Sequence, residues 1–390
     1  MRPKNIALLG ATGSIGASTL RVVRANPDRL RLVGIAGNSR SLRLAEIAKE
    51  FNVSVAAIFD PLACRQAKRE KLFGNSVALG SGIEGLNEVA THPDVDTVVV
   101  AIVGTMGLEP SLAAISAGKE IALASKEVMV MAGKFVTAAT QKFNTQILPI
   151  DSEHNAIFQC LDGRKSSEVA RIILTASGGP FRNFTRDQMK SIRPADATKH
   201  PNWSMGTKIT VDSSTMANKG LELIEAKWLF GDAAKRIEVV IHPQSIVHSL
   251  VEFVDGSIIA QLSPPSMTFA IQNALLYPHR APGVDESLDF SQTWGLEFHP
   301  PDYGRFPCLR LAREAMEAEG IAPTVFNAVN EVAVSAFLRG SIKYLEIAEI
   351  IEESLQKTRN LDPANLDDVI AADSAARSLG RELVLSFSSD

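Results

Sequence analysis

Apolar runs separated by amphipathic helical patterns occupy the first 150 residues of the chain. Runs such as NIALLG (5–10), LRLVGIAG (30–37) and VDTVVVAIVG (95–104) are almost entirely apolar, as expected of parallel strands covered on both faces. Helical patterns such as EVMVMAGKFVTAATQKF (127–143) lie between them. Repeated strand–helix units with short links predict an α/β domain with a doubly wound parallel sheet over residues 1–150.

The pattern changes after residue 151. Strand-like runs with fewer intervening helices follow, namely VARIILTAS (169–177), RIEVVIH (236–242), QSIVHSLVEFVDG (244–256) and SIIAQLS (257–263). Asp255-Gly256 has the composition of a hairpin turn. We therefore expect a central α+β catalytic domain with a partly antiparallel sheet over 151–276, and a lid in its long polar stretch near 181–206.

The last third of the chain predicts a linker and a helical bundle. Residues 277–304 are rich in Pro, Gly and Asp, which is typical of a linker. Apolar residues then recur at helical spacing over 305–390, which predicts a C-terminal helical bundle.

Composition narrows the class of protein. The 390 residues are 45% hydrophobic and 22% charged, with a net charge of -4, which indicates a globular protein and argues against a nucleic-acid partner. The uncharged, mainly apolar stretch from Thr97 to Leu108 is far shorter than the ~20 residues of a membrane-spanning helix. Three scattered cysteines fit a reducing compartment. We expect a soluble, cytoplasmic protein without a membrane partner.

A glycine motif follows the first predicted strand. IALLGATGSIGAST has glycines at 10, 13 and 16, the spacing of a Rossmann-like dinucleotide fingerprint. Gly10 would allow the tight turn, Gly13 would let the backbone approach a pyrophosphate, and Gly16 would permit close helix packing. The following helix would direct its N-terminus at the anion.

The end of the second strand indicates which nucleotide binds. NAD-binding domains usually carry an acid there for the ribose 2′-hydroxyl, whereas this chain has Gly37-Asn38-Ser39-Arg40. Because no carboxylate would repel a 2′-phosphate, and Arg40 could pair with it, the sequence favours NADP(H). The alternative for Arg40 is an ordinary solvated arginine.

Four polar residues, Asp151-Ser152-Glu153-His154, end the apolar run QILPI. They could cap and charge the N-terminus of a helix, or they could form half of a metal site. Lys126-Glu127 also follows a predicted strand, at the edge where such sheets bind ligands. A solvated charge pair is the alternative there.

The run TVDSSTMANKGLELIEAKWLFGD (210–232) predicts a helix that Asp212, Ser213 and Ser214 cap and that ends at Gly231. Asn218, Lys219 and Glu222 would share one face, as a site or as an exposed charged stripe. Because a glycine inside a helix costs about 1 kcal/mol, we expect another element to pass close to Gly220.

Two further motifs lie between these segments. SGGPF (177–181) would suit an anion, and KHPNWSMG (199–206) would place His200 and Trp203 in the lid.

Together these motifs resemble 1-deoxy-D-xylulose 5-phosphate reductoisomerases. The resemblance rests on GATGSIG, SKE, IDSEHNAIFQ, SGGPF, HPNWSMG and DSSTMANKGLELIEA in this order, and it extends to PTVFNAVNEVAV near the C-terminus. It implies an NADPH-dependent and Mg²⁺- or Mn²⁺-dependent oxidoreductase that rearranges and reduces 1-deoxy-D-xylulose 5-phosphate to 2-C-methyl-D-erythritol 4-phosphate for isoprenoid precursors.

 The resemblance further implies that two copies of the chain form a homodimer.

The resemblance also implies roles for individual residues. The metal ligands would be Asp151, Glu153 and Glu222, which are hard oxygen donors, and the catalytic residues would be Lys126, Glu153 and Glu222. The substrate contacts would be Lys126, Ser152, Glu153, Ser177, His200, Trp203, Ser213, Asn218, Lys219 and Glu222, with Met205 in the lid. The NADPH contacts would be Thr12, Gly13, Ser14, Ile15, Gly37, Asn38, Ser39, Ser125, Glu127 and Gly206. His154 would support the metal ligands rather than bind the metal.

Two departures from the family pattern concern the cofactor. Ser125 stands where the family usually has Asn, so one hydrogen bond to cofactor or substrate differs. Asn38-Ser39-Arg40 replaces the common Lys-Asn after Gly37, which would shift the 2′-phosphate contacts toward Arg40. Two other functions fit parts of the sequence: a simple NADP-dependent dehydrogenase of a small phosphorylated sugar, and a non-catalytic NADPH-sensing module.

Overall fold

The structure is a computed structural model that describes residues 2–199, 202–203 and 205–387. The chain forms two compact units. Unit 1 contains Met1–Val128, Val136–Phe158 and Ser266–Leu288, and unit 2 contains Met129–Phe135, Gln159–Pro265 and Asp289–Asp390. The domain limits expected from the sequence stay a prediction.

The strands and helices alternate over the first part of the chain and separate after it. The strands are β1 (Lys4–Leu9), β2 (Leu30–Gly37), β3 (Val55–Ile58), β4 (Ala78–Ser81), β5 (Thr97–Val100), β6 (Glu120–Leu123), β7 (Ile147–Pro149), β8 (Val169–Ala176), β9 (Ile237–Ile241), β10 (Val247–Phe253) and β11 (Ile258–Leu262). The helices are α1 (Ser14–Ala25), α2 (Ser41–Phe51), α3 (Pro61–Arg69), α4 (Gly82–Thr91), α5 (Leu108–Ser116), α6 (Glu127–Phe143), α7 (Ser152–Leu161), α8 (Arg186–Met189), α9 (Pro194–Ala197), α10 (Thr207–Thr215), α11 (Ala217–Phe230), α12 (Met267–Leu276), α13 (Pro307–Ala318), α14 (Ala322–Leu338), α15 (Glu346–Lys357) and α16 (Leu366–Phe387).

Unit 1 is built on a seven-stranded sheet with the order β4-β3-β2-β1-β5-β6-β7, in which all neighbours are parallel. This confirms the doubly wound sheet that the apolar runs predict. The strand order reverses between β1 and β5, so the ligand-binding crevice of such a sheet opens at their carboxyl ends. The helix α12 packs into the core of the same unit through Ile271, Ala274 and Leu275, although it follows the second sheet in sequence.

The glycine motif occupies the turn between β1 and α1. Gly10 has a φ of +94°, and a Cβ atom there would lie 2.2 Å from the carbonyl oxygen of Ala101. A Cβ atom on Gly16 would lie 2.5 Å from the carbonyl oxygen of Gly10. Both glycines are therefore required by close backbone approach, as the fingerprint predicts, and Gly13 is exposed directly before α1.

Unit 2 contains a four-stranded sheet and the C-terminal helices. The sheet has the order β11-β10-β8-β9, with β8 parallel to β9 and β10 antiparallel to both of its neighbours. Asp255 and Gly256 form the predicted hairpin turn, where Gly256 has a φ of +84°. The helices α13 to α16 pack around the nearly buried α14, which confirms the predicted bundle.

The helix expected to begin at Asp212 begins earlier and is broken. The structure has α10 up to Thr215, then Met216 in the left-handed conformation (φ 63°), then α11. Asp212 and Ser214 therefore lie in the last turn of a helix and do not cap the start of one. The prediction was wrong because it read capping residue types as a boundary, whereas Gly206 precedes the helix and the break falls at Met216. Gly231 ends α11 as predicted.

Gly220 lies where α11 meets α13. A Cβ atom on Gly220 would lie 2.4 Å from the Cβ atom of Ala312, closer than any two such atoms can pack. The expectation that another element passes close to this glycine is confirmed. The absent side chain at Gly220 sets the separation of the two helices.

We expect Gly220→Ala to destabilise the protein by about 1–2 kcal/mol, because overpacking outweighs the gain of about 1 kcal/mol in helix propensity. Gly380→Ala in α16 is the matched control, since the nearest atom to its Cβ would be 3.4 Å away. The control should leave the thermal unfolding midpoint equal or higher, and Ala312→Gly should restore stability to the Gly220→Ala variant. A midpoint for Gly220→Ala at or above that of the parent chain would contradict the packing argument.

Candidate functional site

Most of the predicted nucleotide-binding residues of unit 1 lie at the carboxyl ends of β1 and β2. Gly13 and Ser14 are exposed at the start of α1, and Asn38 and Ser39 are exposed after β2. The Arg40 guanidinium donates a hydrogen bond to the carbonyl oxygen of Thr12 at 3.2 Å. Arg40 therefore lies beside the glycine loop, as a residue reading a nucleotide phosphate would.

Ser125 follows β6 and is turned toward the backbone. Its Oγ lies 2.5 Å from the carbonyl oxygen of Ile102 and 3.2 Å from that of Val100. Since a hydroxyl has one proton to donate, Ser125 uses it on the end of β5. The side chain is 4% exposed, and it keeps only acceptor capacity for other groups.

A lysine and two acids lie at the carboxyl ends of the neighbouring strands β6 and β7. The Lys126 Nζ is 2.6 Å from Asp151 Oδ2, and the two side chains are 7% and 15% exposed. Ser152 donates a hydrogen bond to Glu153 Oε2 at 2.6 Å. Parallel strands end at the same edge, so the sheet itself brings these residues together.

The structure places the Asp151 motif at the start of a helix, as one of its two readings predicts, and the metal site stays a prediction. The helix α7 begins at Ser152, and the carbonyl oxygen of Asp151 accepts the first helical hydrogen bond, from the amide of Asn155 at 2.8 Å. Asp151 thus holds the N-cap position while its carboxylate pairs with Lys126. His154 is fully buried, and its supporting role stays a prediction.

In unit 2 the loop after β8 lies against the end of α10. Gly178 and Gly179 have φ angles of +78° and +69°, and the amide of Gly179 donates to Ser177 Oγ at 3.2 Å. A Cβ atom on Gly179 would lie 2.7 Å from the carbonyl oxygen of Ser213. The structure therefore brings together the segments that carry Ser177 and Ser213, two predicted substrate contacts.

The polar residues of α11 form a buried cluster. Asn218 donates to Glu222 Oε1 at 2.6 Å, and the Lys219 ammonium donates to Glu222 Oε2. Glu222 is 0% exposed and Lys219 is 4% exposed. The predicted shared face is confirmed, and the alternative of an exposed charged stripe is wrong.

The predicted lid is described only in part. His200 lies outside the described residues. The Trp203 ring is half-buried and lies edge-on to His248, with ring centroids 6.2 Å apart. Asn202 donates to the carbonyl oxygen of Pro243 at 2.6 Å. Met205 is half-buried, and Gly206 is exposed directly before α10.

Sequence reasoning missed a buried network around Asp212. This carboxylate is 1% exposed, and its oxygens lie 2.8 Å from Lys208 Nζ and 2.9 Å from Asn330 Nδ2. The i, i+4 spacing of Lys208 and Asp212 could have indicated the pair. No local pattern indicates Asn330, which follows Asp212 by 118 positions.

The cysteines form no disulfide, and two of them are held as thiols by burial. Cys64, Cys160 and Cys308 are free and buried. Burial raises the pKa of Cys160 to about 11 and that of Cys308 to about 12. These two thiols therefore stay protonated at neutral pH, where only the thiolate is a strong nucleophile. Among the described helices, none is both long and apolar enough to span a bilayer.

Family models match most of the chain. The model described as 1-deoxy-D-xylulose 5-phosphate reductoisomerase matches residues 6–133, and the model of its C-terminal domain matches residues 147–230. A model described as DXP reductoisomerase C-terminal domain matches residues 262–379.

Curated proteins named 1-deoxy-D-xylulose 5-phosphate reductoisomerase are similar over nearly the full length. The protein from Pseudomonas fluorescens is 50% identical over 388 residues, which cover 97% of each chain. The protein from Pelotomaculum thermopropionicum is 47% identical over 381 residues, which cover 98% of each chain.

Solved structures agree with these relatives. The 1-deoxy-D-xylulose 5-phosphate reductoisomerase from Zymomonas mobilis in complex with NADPH is 44% identical, with a TM-score of 0.92 over 98% of this chain and 99% of that one. A DOX-P reductoisomerase in complex with NADPH, fosmidomycin and magnesium is 41% identical, with a TM-score of 0.90 over 98% of both chains.

The buried cluster on α11 yields a test of its own. We expect Lys219→Met to destabilise the protein by about 3 kcal/mol, because it leaves the Glu222 carboxylate buried without its ammonium partner. The Lys219→Met/Glu222→Gln double variant should regain most of that loss in urea unfolding with chelator present. If the single variant is as stable as the parent, Glu222 does not depend on this ion pair.

Proposed function

The chain belongs to the 1-deoxy-D-xylulose 5-phosphate reductoisomerase family, and from that premise we propose how its residues perform the reaction. The enzyme is an NADPH- and divalent-metal-dependent oxidoreductase. It rearranges and reduces 1-deoxy-D-xylulose 5-phosphate to 2-C-methyl-D-erythritol 4-phosphate in isoprenoid precursor biosynthesis. The structural observation that supports this most is the fully buried Glu222 carboxylate, which carries an ammonium group on one oxygen and an amide on the other.

Asp151, Glu153 and Glu222 are the proposed metal ligands. They offer only carboxylate oxygens, the donor type that Mg²⁺ and Mn²⁺ prefer. Asp151 and Glu222 are shielded from water, and each already attracts a lysine ammonium, so both sites favour positive charge. The donor set therefore fits a hard divalent cation. When bound, the metal supplies Lewis-acid stabilisation of charge on the substrate oxygens, and NADPH supplies the hydride.

The side chains of the enzyme position the substrate and handle its protons. Lys126, held beside Asp151, is placed to support negative charge or to move a proton at a substrate oxygen. Glu153 is the third catalytic residue with Lys126 and Glu222, and Ser152 contacts the substrate next to it. Trp203 and Met205 are proposed to close over the substrate and exclude water.

The substrate phosphate is proposed to lie where the Ser177 loop meets the end of α10. Ser177 and Ser213 offer hydroxyl groups there, and the start of α11 carries Asn218 and Lys219. Lys219 supplies positive charge in a buried position, where it acts more strongly than in water. His200 is proposed as a further phosphate contact.

The NADPH site is proposed on the glycine loop and the strand ends beside it. The N-terminus of α1, with Thr12 to Ile15, would hold the pyrophosphate, and Gly37 to Ser39 with Arg40 would hold the 2′-phosphate. Glu127, Gly206 and Ser125 complete the set, with Ser125 acting as an acceptor because its proton is donated to the backbone.

The domain limits are proposed from the sequence pattern and the family membership. Residues 1–150 would bind NADPH, 151–276 would form the catalytic domain with its lid near 181–206, and 277–304 would link it to the C-terminal helical domain at 305–390.

A homodimer is supported by the edge strand β11, where Ile258 and Leu262 are 50% and 38% exposed, since exposed apolar edges invite pairing. Buried free thiols support a cytoplasmic location.

The activity test is NADPH oxidation with 1-deoxy-D-xylulose 5-phosphate. Oxidation should require Mg²⁺ or Mn²⁺ after chelation, and Glu222→Gln should lower kcat by about 100-fold or more while NADPH binding stays within about 2-fold. Calorimetry should show weaker Mn²⁺ binding to that variant. Asp285→Asn, the same chemical change at an acid that pairs with Arg21, is the control and should keep its metal dependence.

Other outcomes separate the alternatives. NADPH oxidation with a phosphorylated sugar that does not require a metal would identify a simple dehydrogenase. NADPH binding without turnover of any such substrate would identify a sensing module. Loss of NADPH binding in Glu222→Gln would refute the division between the cofactor and metal sites.

Arg40 provides a second test. We expect Arg40→Ala to raise the KM for NADPH about 10-fold, because a charged hydrogen bond to the 2′-phosphate is worth about 1.5–3 kcal/mol. The KM for NADH, which lacks that phosphate, should not change. Arg43→Ala removes an exposed arginine that pairs with Glu46 and is the matched control. Equal losses with both nucleotides would show that Arg40 does not read the 2′-phosphate.

A further inference from the structure

The residues on both sides of Ser213 are held by the C-terminal helices. Asn330, in α14, donates from Nδ2 to Asp212 Oδ1 at 2.9 Å. The hydroxyl of Tyr344, just before α15, donates to the carbonyl oxygen of Ser214 at 2.6 Å. Asn330 is 0% exposed and Tyr344 is 4% exposed, so water does not compete for either bond.

Tyr344 also holds the neighbouring loop. Its ring packs edge-on against Phe181, with centroids 5.3 Å apart and an interplanar angle of 81°. Phe181 belongs to the SGGPF loop that begins with Ser177, and it is 4% exposed. On another side the ring contacts Phe337 of α14 at 5.8 Å. One side chain thus connects the bundle to both segments proposed to bind phosphate.

The Tyr344 contact satisfies a group that α10 cannot satisfy by itself. The carbonyl of Ser214 is one of the last four of α10, which have no partner within an α-helix. Burial raises the pKa of Tyr344, so its hydroxyl stays protonated and remains a donor at physiological pH. Asp212 shares its charge between Asn330 and the Lys208 ammonium. The backbone around Ser213 is therefore fixed from the side of the bundle.

We propose that Asn330 and Tyr344 are positioning residues for the phosphate group of the substrate, acting through Ser213 and the Ser177 loop. The inference rests on the proposed function, which assigns Ser177 and Ser213 to that phosphate. Neither Asn330 nor Tyr344 touches the substrate in this assignment. They determine where the two hydroxyl groups stand before the phosphate arrives, so their effect falls on phosphate affinity.

The test uses Tyr344→Phe and Asn330→Leu in the full-length enzyme with Mg²⁺ and NADPH. Tyr344→Phe keeps the ring and removes only the hydroxyl, so it leaves the core packing in place. Each variant should raise the KM for 1-deoxy-D-xylulose 5-phosphate and the inhibition constant of inorganic phosphate together, by about 3- to 10-fold, as expected for one buried hydrogen bond. The kcat and the KM for NADPH should stay within about 2-fold.

Thr324→Val is the matched control. It removes a buried hydroxyl in the same unit that donates to a backbone carbonyl, that of Met131 at 3.3 Å, and it should leave both phosphate constants unchanged. If Tyr344→Phe and Asn330→Leu lower the unfolding midpoint while both phosphate constants stay within about 2-fold, the contacts are only structural and the proposal is overturned. Equal rises in the KM for NADPH would overturn it as well.

Failure of the proposed function would look different. The parent enzyme would then not oxidise NADPH with 1-deoxy-D-xylulose 5-phosphate, whatever residue stands at 344. Calorimetric titration with inorganic phosphate does not depend on turnover and still compares the parent with the variants. Weaker phosphate binding in Tyr344→Phe and Asn330→Leu alone supports the positioning role, whereas equal binding in all chains overturns it.

Discussion

Glu222 is a carboxylate removed from water, and a charge in that position requires an opposite charge and hydrogen-bond donors around it. Lys219 and Asn218 meet this requirement from the preceding turn of α11. The helix must then be packed on all sides, which explains why Gly220 lies between these residues. Its missing side chain lets α13 approach α11 closely. The buried ion pair of α11 and the tight packing at Gly220 therefore depend on each other.

In unit 1 the parallel sheet brings the predicted functional residues together. Because every strand points the same way, the residues that follow β1, β2, β6 and β7 all emerge at one edge. The glycine loop, Arg40, and the Lys126–Asp151 pair come from distant parts of the sequence and need no special contacts to reach this edge. The start of α1 then offers backbone amide groups where the predicted nucleotide pyrophosphate carries negative charge.

Most of the strands and the polar face of α11 could be predicted from the sequence, because periodicity and residue type reflect local structure. The apolar runs predicted the strands of both sheets, and the spacing of Asn218, Lys219 and Glu222 predicted their common face. The sequence did not predict the break at Met216, because a left-handed methionine has no compositional signal. Nor could it predict Asn330 and Tyr344, which contact α10 from 118 and 130 positions away. Contacts of that separation depend on tertiary packing alone.

The α11–α13 contact also limits how the sequence can diverge. Glycine is the smallest residue, so position 220 cannot become smaller to make room for a larger neighbour. A side chain larger than alanine at position 312 would have to push α13 away from α11. Positions 220 and 312 can therefore accept only very small residue types, although neither residue takes part in the chemistry.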